Sequence, residues 1–124
     1  MKLPPFQLSA AAGLVAAALC VAGGQARAAD AAILQGLDKI TARISTIKAP
    51  VGQPVRFGTL EITVRACDKR PPEEPPESAA YMEIRELRPG EQPARVFAGW
   101  MFASSPALSA LEHPVYDVSV VDCQ

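Results

Sequence analysis

The sequence predicts a small all-β domain, a sandwich or barrel of about six short strands with one short helical turn and one disulfide. Apolar and polar residues alternate with a period of two in several short runs. Turn-forming Pro, Gly and Ser separate these runs, and no stretch shows the long 3.6-residue period of an amphipathic helix. The chain has 124 residues, which leaves room for one such domain.

Residues 1–28 have the features of a secretory signal peptide. Lys2 supplies a positive start, residues 8–22 form an apolar run without charge, and Ala26-Arg27-Ala28 is a small-x-small pattern. The apolar run is shorter than the ~18–20 residues needed to span a bilayer. We therefore expect cleavage after Ala28, secretion through the general pathway and a periplasmic location, with an uncleaved signal as the alternative.

The rest of the chain divides into a leader and one domain. Residues 29–36 are mostly small and predict a flexible leader, and residues 37–124 predict a single β-domain. The helical turn is expected over Pro106 to Leu111, with Ser105 as its N-cap. The Pro- and Glu-rich residues 68–78 predict an exposed loop, because proline cannot donate to a sheet ladder. The predicted strands cover residues 40–45, 55–57, 60–67, 80–85, 96–102 and 116–121.

Cys67 and Cys123 lie near the ends of two predicted strands, on the polar side of each alternation. In an oxidising compartment, such a pair is most simply one structural disulfide. Free or partner-linked thiols are a second interpretation. A catalytic redox pair is a third, but it usually requires CxxC spacing, which these two residues lack.

The composition argues against several classes of protein. The net charge is −1, which does not favour nucleic-acid binding, and one His with three Cys is too few for a zinc finger or iron–sulfur protein. We expect neither a metal nor a cofactor. His113 with Ser104, Ser105 or Asp117 could form a hydrolytic site. The sequence lacks a nucleophile elbow and a glycine-rich oxyanion loop, so an enzyme is the less favoured interpretation.

The predicted strand Val96 to Phe102 is apolar on both faces. It is either a central strand covered on both sides or a strand with one exposed binding face. Trp and Met are enriched at protein interfaces. The candidate binding residues are Trp100, Phe102, Met101, His113 and Tyr116.

Three groups of residues resemble a known family. They are Val55-Arg56-Phe57-Gly58-Thr59-Leu60, Gly99-Trp100-Met101-Phe102-Ala103-Ser104-Ser105-Pro106, and Glu112-His113-Pro114-Val115-Tyr116-Asp117. With them the chain resembles an uncharacterised secreted family of alphaproteobacteria, domain of unknown function 2155, from about Leu34 to Cys123. The resemblance implies a small periplasmic domain containing this cysteine pair, and implies that residues 100–106 and 112–117 lie close together. It implies no established activity.

The sequence thus favours a non-enzymatic periplasmic interaction module, acting as an accessory or assembly factor of an inner-membrane or envelope complex. The expected partner is an envelope or inner-membrane protein, and no nucleic acid. A membrane would be reached only through a partner or an uncleaved signal. The alternatives are a small periplasmic hydrolase, a glycan-acting enzyme, or a glycan-binding module that stacks sugar on Trp100 or Tyr81.

Overall fold

Two antiparallel sheets pack face to face in the computed structural model, which describes residues 27–106 and 110–124. The strands are β1 Arg27–Ala28, β2 Ala31–Asp38, β3 Arg43–Pro50, β4 Val55–Phe57, β5 Leu60–Lys69, β6 Ser78–Glu86, β7 Ala94–Phe102, β8 Leu111–Glu112 and β9 Tyr116–Cys123. The first sheet has the order β1-β5-β6-β7, with β4 also paired to β5, and the second has the order β3-β2-β9-β8. The all-β prediction is confirmed.

The predicted flexible leader over residues 29–36 is wrong for most of its length. Strand β2 occupies residues 31–38 and lies between β3 and β9, with hydrogen-bonded partners on both sides. Ala32 and Leu34 are fully buried. The small residues serve close packing, since a Cβ added at Gly36 would lie 2.7 Å from Cζ of Phe57.

Two other predicted elements differ from the structure. Residues 39–42 form a turn, although the alternation predicts a strand from residue 40. In this turn Asp38 Oδ1 accepts hydrogen bonds from the N–H groups of Ile40 and Thr41. Ala42 has a positive φ of 56° there, and β3 begins one residue later. The predicted helical turn falls largely on residues 107–109, outside the described residues, and Leu111 already belongs to β8.

Two β-bulges place the disulfide in the core. The register of β5 with β6 shifts between Val64 and Ala66, and that of β9 with β2 shifts where Val121 is the extra residue. Each extra residue reverses the inside–outside alternation downstream of it. Cys67 and Cys123 therefore point inward, each 2% exposed, although the unbroken alternation predicts the polar face. Their disulfide joins the two sheets, with a Cα–Cα distance of 5.7 Å.

Candidate functional site

Strand β7 lies at the edge of its sheet, where within the described residues it pairs with β6 alone. A central strand covered on both faces, one of the two interpretations of this segment, is therefore wrong. Met101 is 1% exposed and faces the core, so it is not part of a surface site. Trp100 is 43% exposed and Phe102 is 41% exposed on the outer face. The strand thus places one face in the core and its aromatic face on the surface.

Trp100 forms an aromatic pair with Tyr81 on the outer face of the first sheet. The two residues are direct partners across β6 and β7, and their ring centroids are 5.6 Å apart in an edge-to-face arrangement. An ion pair between Arg65 and Glu83, at 3.5 Å, lies beside this aromatic pair on the same sheet. An exposed aromatic surface bordered by charged side chains is typical of the centre of a binding site.

The hydrogen-bond pattern shows which backbone groups of β7 are left open. The N–H of Ala103 donates to the carbonyl of Ser78 at 2.9 Å, which makes this a hydrogen-bonded pair. Hydrogen-bonded pairs alternate along an antiparallel ladder, so residues 97, 99 and 101 point their backbone groups at β6. The N–H and C=O groups of Ala98 and Trp100 therefore point away from the sheet. The next outward carbonyl, that of Phe102, accepts the N–H of Ser105 at 3.2 Å.

The edge at β7 differs in chemistry from the edge at β3. Strand β3 carries Arg43 and Lys48 and ends at Pro50. Charged residues and proline are common protection against unwanted strand pairing. Residues 97–102 of β7 contain neither a charge nor a proline. The exposed edge of the first sheet is therefore unprotected where it carries Trp100.

His113 and Tyr116 lie elsewhere, at the end of β6. His113 is 7% exposed, its Nδ1 accepts the N–H of Val115 at 3.1 Å, and its Nε2 lies 3.1 Å from Oε2 of Glu86. This hydrogen bonding assigns the proton to Nε2, which donates to the carboxylate. The His113 hydrogen bond, followed by that of Arg88, holds the pKa of Glu86 below its usual value of 4.5. His113 therefore ties the end of β6 to the loop between β8 and β9.

Tyr116, which is half-buried, completes the cluster around His113. Its ring stacks on His113 with centroids 5.6 Å apart and meets Phe57 edge-to-face at 5.1 Å. A Cβ added at Gly58 would overlap the Tyr116 hydroxyl, so the turn before β5 accommodates the ring only with glycine. His113 and Tyr116 thus connect the two sheets, at a different place from the Trp100 face.

The residues of the hydrolase hypothesis are not brought together. Ser104 donates its N–H and its hydroxyl to Glu77, which immediately precedes β6. His113 instead contacts the last residue of β6, and a strand of nine residues is about 27 Å long. Asp117 pairs with Lys39 at 2.8 Å. A nucleophile, base and orienting acid need hydrogen-bond contact with one another, which this arrangement does not provide.

A groove of about 290 Å³ lies beyond the end of β7. Inside it, Lys69 Nζ is 2.9 Å from Asp122 Oδ1, and the Ser78 hydroxyl donates to the same oxygen at 3.4 Å. The hydrogen bond from Lys69 holds the pKa of Asp122 below its usual value. The sequence does not reveal this groove, because its pattern predicts an exposed loop at Glu77 and Ser78 and no spacing links these residues to Asp122. The lining residues are Lys69, Pro76, Glu77, Ser78, Ala103, Ser104, Val121 and Asp122.

Residues 27–106 and 110–124 contain no group of three or more His, Cys, Asp or Glu side chains placed to hold a metal ion. Among the same residues there is no helix with the length and apolar character needed to cross a membrane.

The structure defines a small β-sandwich with a buried disulfide between its sheets and one open, aromatic edge. The chain belongs to the family described as "Uncharacterized protein conserved in bacteria (DUF2155)", whose model matches residues 32–123. An uncharacterised protein of Rickettsia prowazekii (strain Madrid E) is 36% identical over 87 residues, which are 70% of this chain and 56% of that protein. The chain thus spans little more than half the length of this relative. No solved structure matches the chain.

Proposed function

We propose that this protein is a non-enzymatic binding module of the periplasm and that its ligand is another envelope protein. The observation that carries this proposal is the exposure of Trp100 on an edge strand beside Tyr81. Aromatic side chains exposed in a patch are unusual on a monomer and common at the centre of interfaces. An accessory or assembly role in an inner-membrane complex is consistent with a domain this small.

A periplasmic location is supported by two features of the chain. Residues 1–28 have the charge, apolar run and small-x-small pattern of a secretory signal. The Cys67–Cys123 disulfide is of a kind that persists in oxidising compartments. Cell fractionation and the mass of the purified chain test this part of the proposal, with an N-terminus at Ala29 as the expected result.

A photo-crosslinking side chain incorporated at Ala98 tests the binding function in living cells. Ala98 is exposed on the same face as Trp100. The matched control carries the same crosslinker at Thr46, which is exposed on β3 of the other sheet. We expect one envelope protein to be crosslinked from position 98 and not from position 46, and the adduct to disappear in Trp100→Ala. Equal adducts from both positions, or an adduct indifferent to Trp100→Ala in a folded protein, would contradict the proposal.

A glycan ligand is the second candidate, favoured only by the exposed Trp100–Tyr81 pair. Trp100 is the single tryptophan of the chain, so tryptophan fluorescence reports on this face alone. Quenching by soluble peptidoglycan fragments, together with no protein adduct from position 98, would replace the protein ligand with a glycan.

A further inference from the structure

We infer that the partner binds by adding an extended strand to the open edge of β7. The segment of the partner that binds is therefore linear and apolar. This binding mode presupposes the proposed function, because it uses the Trp100 face. It adds a mechanism of recognition: main-chain hydrogen bonds supply the alignment, and the outer face supplies the side-chain preference.

The backbone of Ala98 and Trp100 is arranged to receive such a strand. The two residues are two positions apart on one strand, so their outward N–H and C=O groups form a line with a spacing of about 6.6 Å. Within the described residues, no hydrogen-bond partner meets these four groups. An added strand that opposes both residues would form two hydrogen bonds with each, as an inner strand of a sheet does.

The side chains along this edge determine which residue types the added strand can place beside them. Ala98 and Trp100 lie on the outer face, and Gly99 and Met101 lie on the opposite one. A residue of the added strand placed beside Trp100 would cover the exposed indole ring, which favours an apolar or aromatic side chain there. The uncharged residues 97–102 offer no ion pair, so a charged residue in the middle of the ligand segment would lose hydration without compensation.

A linear segment fits this edge better than a second copy of the chain. Two rigid sandwiches that meet edge to edge would touch along about 20 Å of strand and to a depth of roughly 10 Å, on the order of 200 Å² per partner. A stable interface usually needs about 800 Å² per partner. A flexible segment can pair with the edge, fold over the Trp100 ring and continue into the groove at Ala103 and Ser104, which directly follow β7.

A peptide selection on the purified full chain tests this binding mode. The probe is a combinatorial library of linear 12-residue peptides, and the recovered peptides are measured by fluorescence polarisation. Ala98→Pro removes an N–H that points away from β6, so it closes the edge and leaves the pairing with β6 intact. Ala98→Ser is the matched control, because it changes the same side chain and keeps the N–H.

We expect the recovered peptides to lack proline in the middle and to alternate apolar residues. Ala98→Pro should weaken their binding about tenfold or more, and Ala98→Ser should leave it within about twofold. A second measurement keeps the wild-type protein and N-methylates one peptide residue at a time. Strand addition predicts losses at every second residue, so this scan decides the question even if Ala98→Pro fails to fold.

Each other outcome counts against a specific claim. Peptides that lose binding in Trp100→Ala, but tolerate Ala98→Pro and show no alternating N-methyl pattern, would overturn strand addition and leave the binding function standing. A concentration-dependent dimer that Ala98→Pro dissolves would assign the edge to a second copy. A selection that yields no peptide sensitive to Ala98→Pro or Trp100→Ala would overturn both the binding mode and the peptide-binding function of this face.

Discussion

Removing the disulfide should lower the free energy of unfolding by about 4 kcal/mol. Cys67 and Cys123 are 56 positions apart, and the loop-entropy relation for this length gives about 14 cal/mol/K, or about 4 kcal/mol at 25 °C. A domain of this size is stable by only about 5–15 kcal/mol, so the crosslink supplies a large share of the total. Because the disulfide joins the two sheets, its loss should affect the whole domain and not one strand.

Urea unfolding followed by far-ultraviolet circular dichroism measures this contribution. For a slope of about 1–3 kcal/mol/M, the midpoint should fall by roughly 1.3–4 M. Reduced wild-type protein separates the crosslink from packing, since it keeps both buried sulfur atoms. The double variant Cys67→Ala/Cys123→Ala should be less stable still, because it also removes those atoms from the core. Cys67→Ala is the matched control, because without Cys67 the disulfide cannot form and reduction should leave the stability of this variant unchanged.

Two results would refute this reasoning. If reduced and oxidised wild-type protein unfold within about 0.3 M urea of each other, the crosslink does not constrain the unfolded chain as the loop relation requires. If reduction destabilises Cys67→Ala as much as it destabilises the wild-type protein, the pairing itself is wrong.

Three further predictions use the same unfolding assay. Glu86 has a folded pKa below 4.5, so its stabilising contribution is present above pH 4.5 and is lost as the pH falls through the folded value. Glu86→Gln should therefore flatten the loss of stability that the wild-type protein shows below pH 4.5. Gly36→Ala should lower the free energy of unfolding by about 1–3 kcal/mol, because the added Cβ meets an aromatic ring. Gly99→Ala should leave it nearly unchanged, because the added Cβ has no contact closer than 3.7 Å. Met101→Ala should lower the free energy of unfolding by about 2–5 kcal/mol, because Met101 is buried, and Trp100→Ala should lower it by about 1 kcal/mol. Equal decreases for the two variants would mean that Trp100 belongs to the core.

Local alternation was sufficient to predict most of the strands. The predicted residues 55–57 match β4, and the predicted segments 60–67, 80–85, 96–102 and 116–121 each lie within one observed strand. In each of them one face packs against the core, and this burial makes the period-two pattern visible. Strand β2 was not predicted, because its small residues Ala31, Ala32 and Gly36 are typical of a flexible leader. Only the ring of Phe57, brought in from β4, explains why residue 36 must be small.

The candidate site was only half predictable, because strand order is a long-range property. The residues of β7 indicate that both faces of the strand are apolar. They do not indicate whether another part of the protein covers the face that carries Trp100. The edge position of β7, which decides the question, depends on β5 and β6 pairing with each other and on β8 and β9 joining the second sheet. Trp100 and Met101 are adjacent in sequence and equally apolar, and only the sheet assigns one to the surface and the other to the core.

The two bulges show most directly what the alternation could not predict. Arg65 and Val121 are each the extra residue of a bulge, and neither residue type predicts a bulge at its position. Without the bulges, Cys67 and Cys123 would point away from the core on two different sheets and could not meet. With them, both cysteines turn inward at the same end of the sandwich, and Asp122 turns outward toward Lys69 and Ser78. The disulfide and the polar groove beside β7 are therefore consequences of the same two irregularities, so deleting Val121 should disrupt both together.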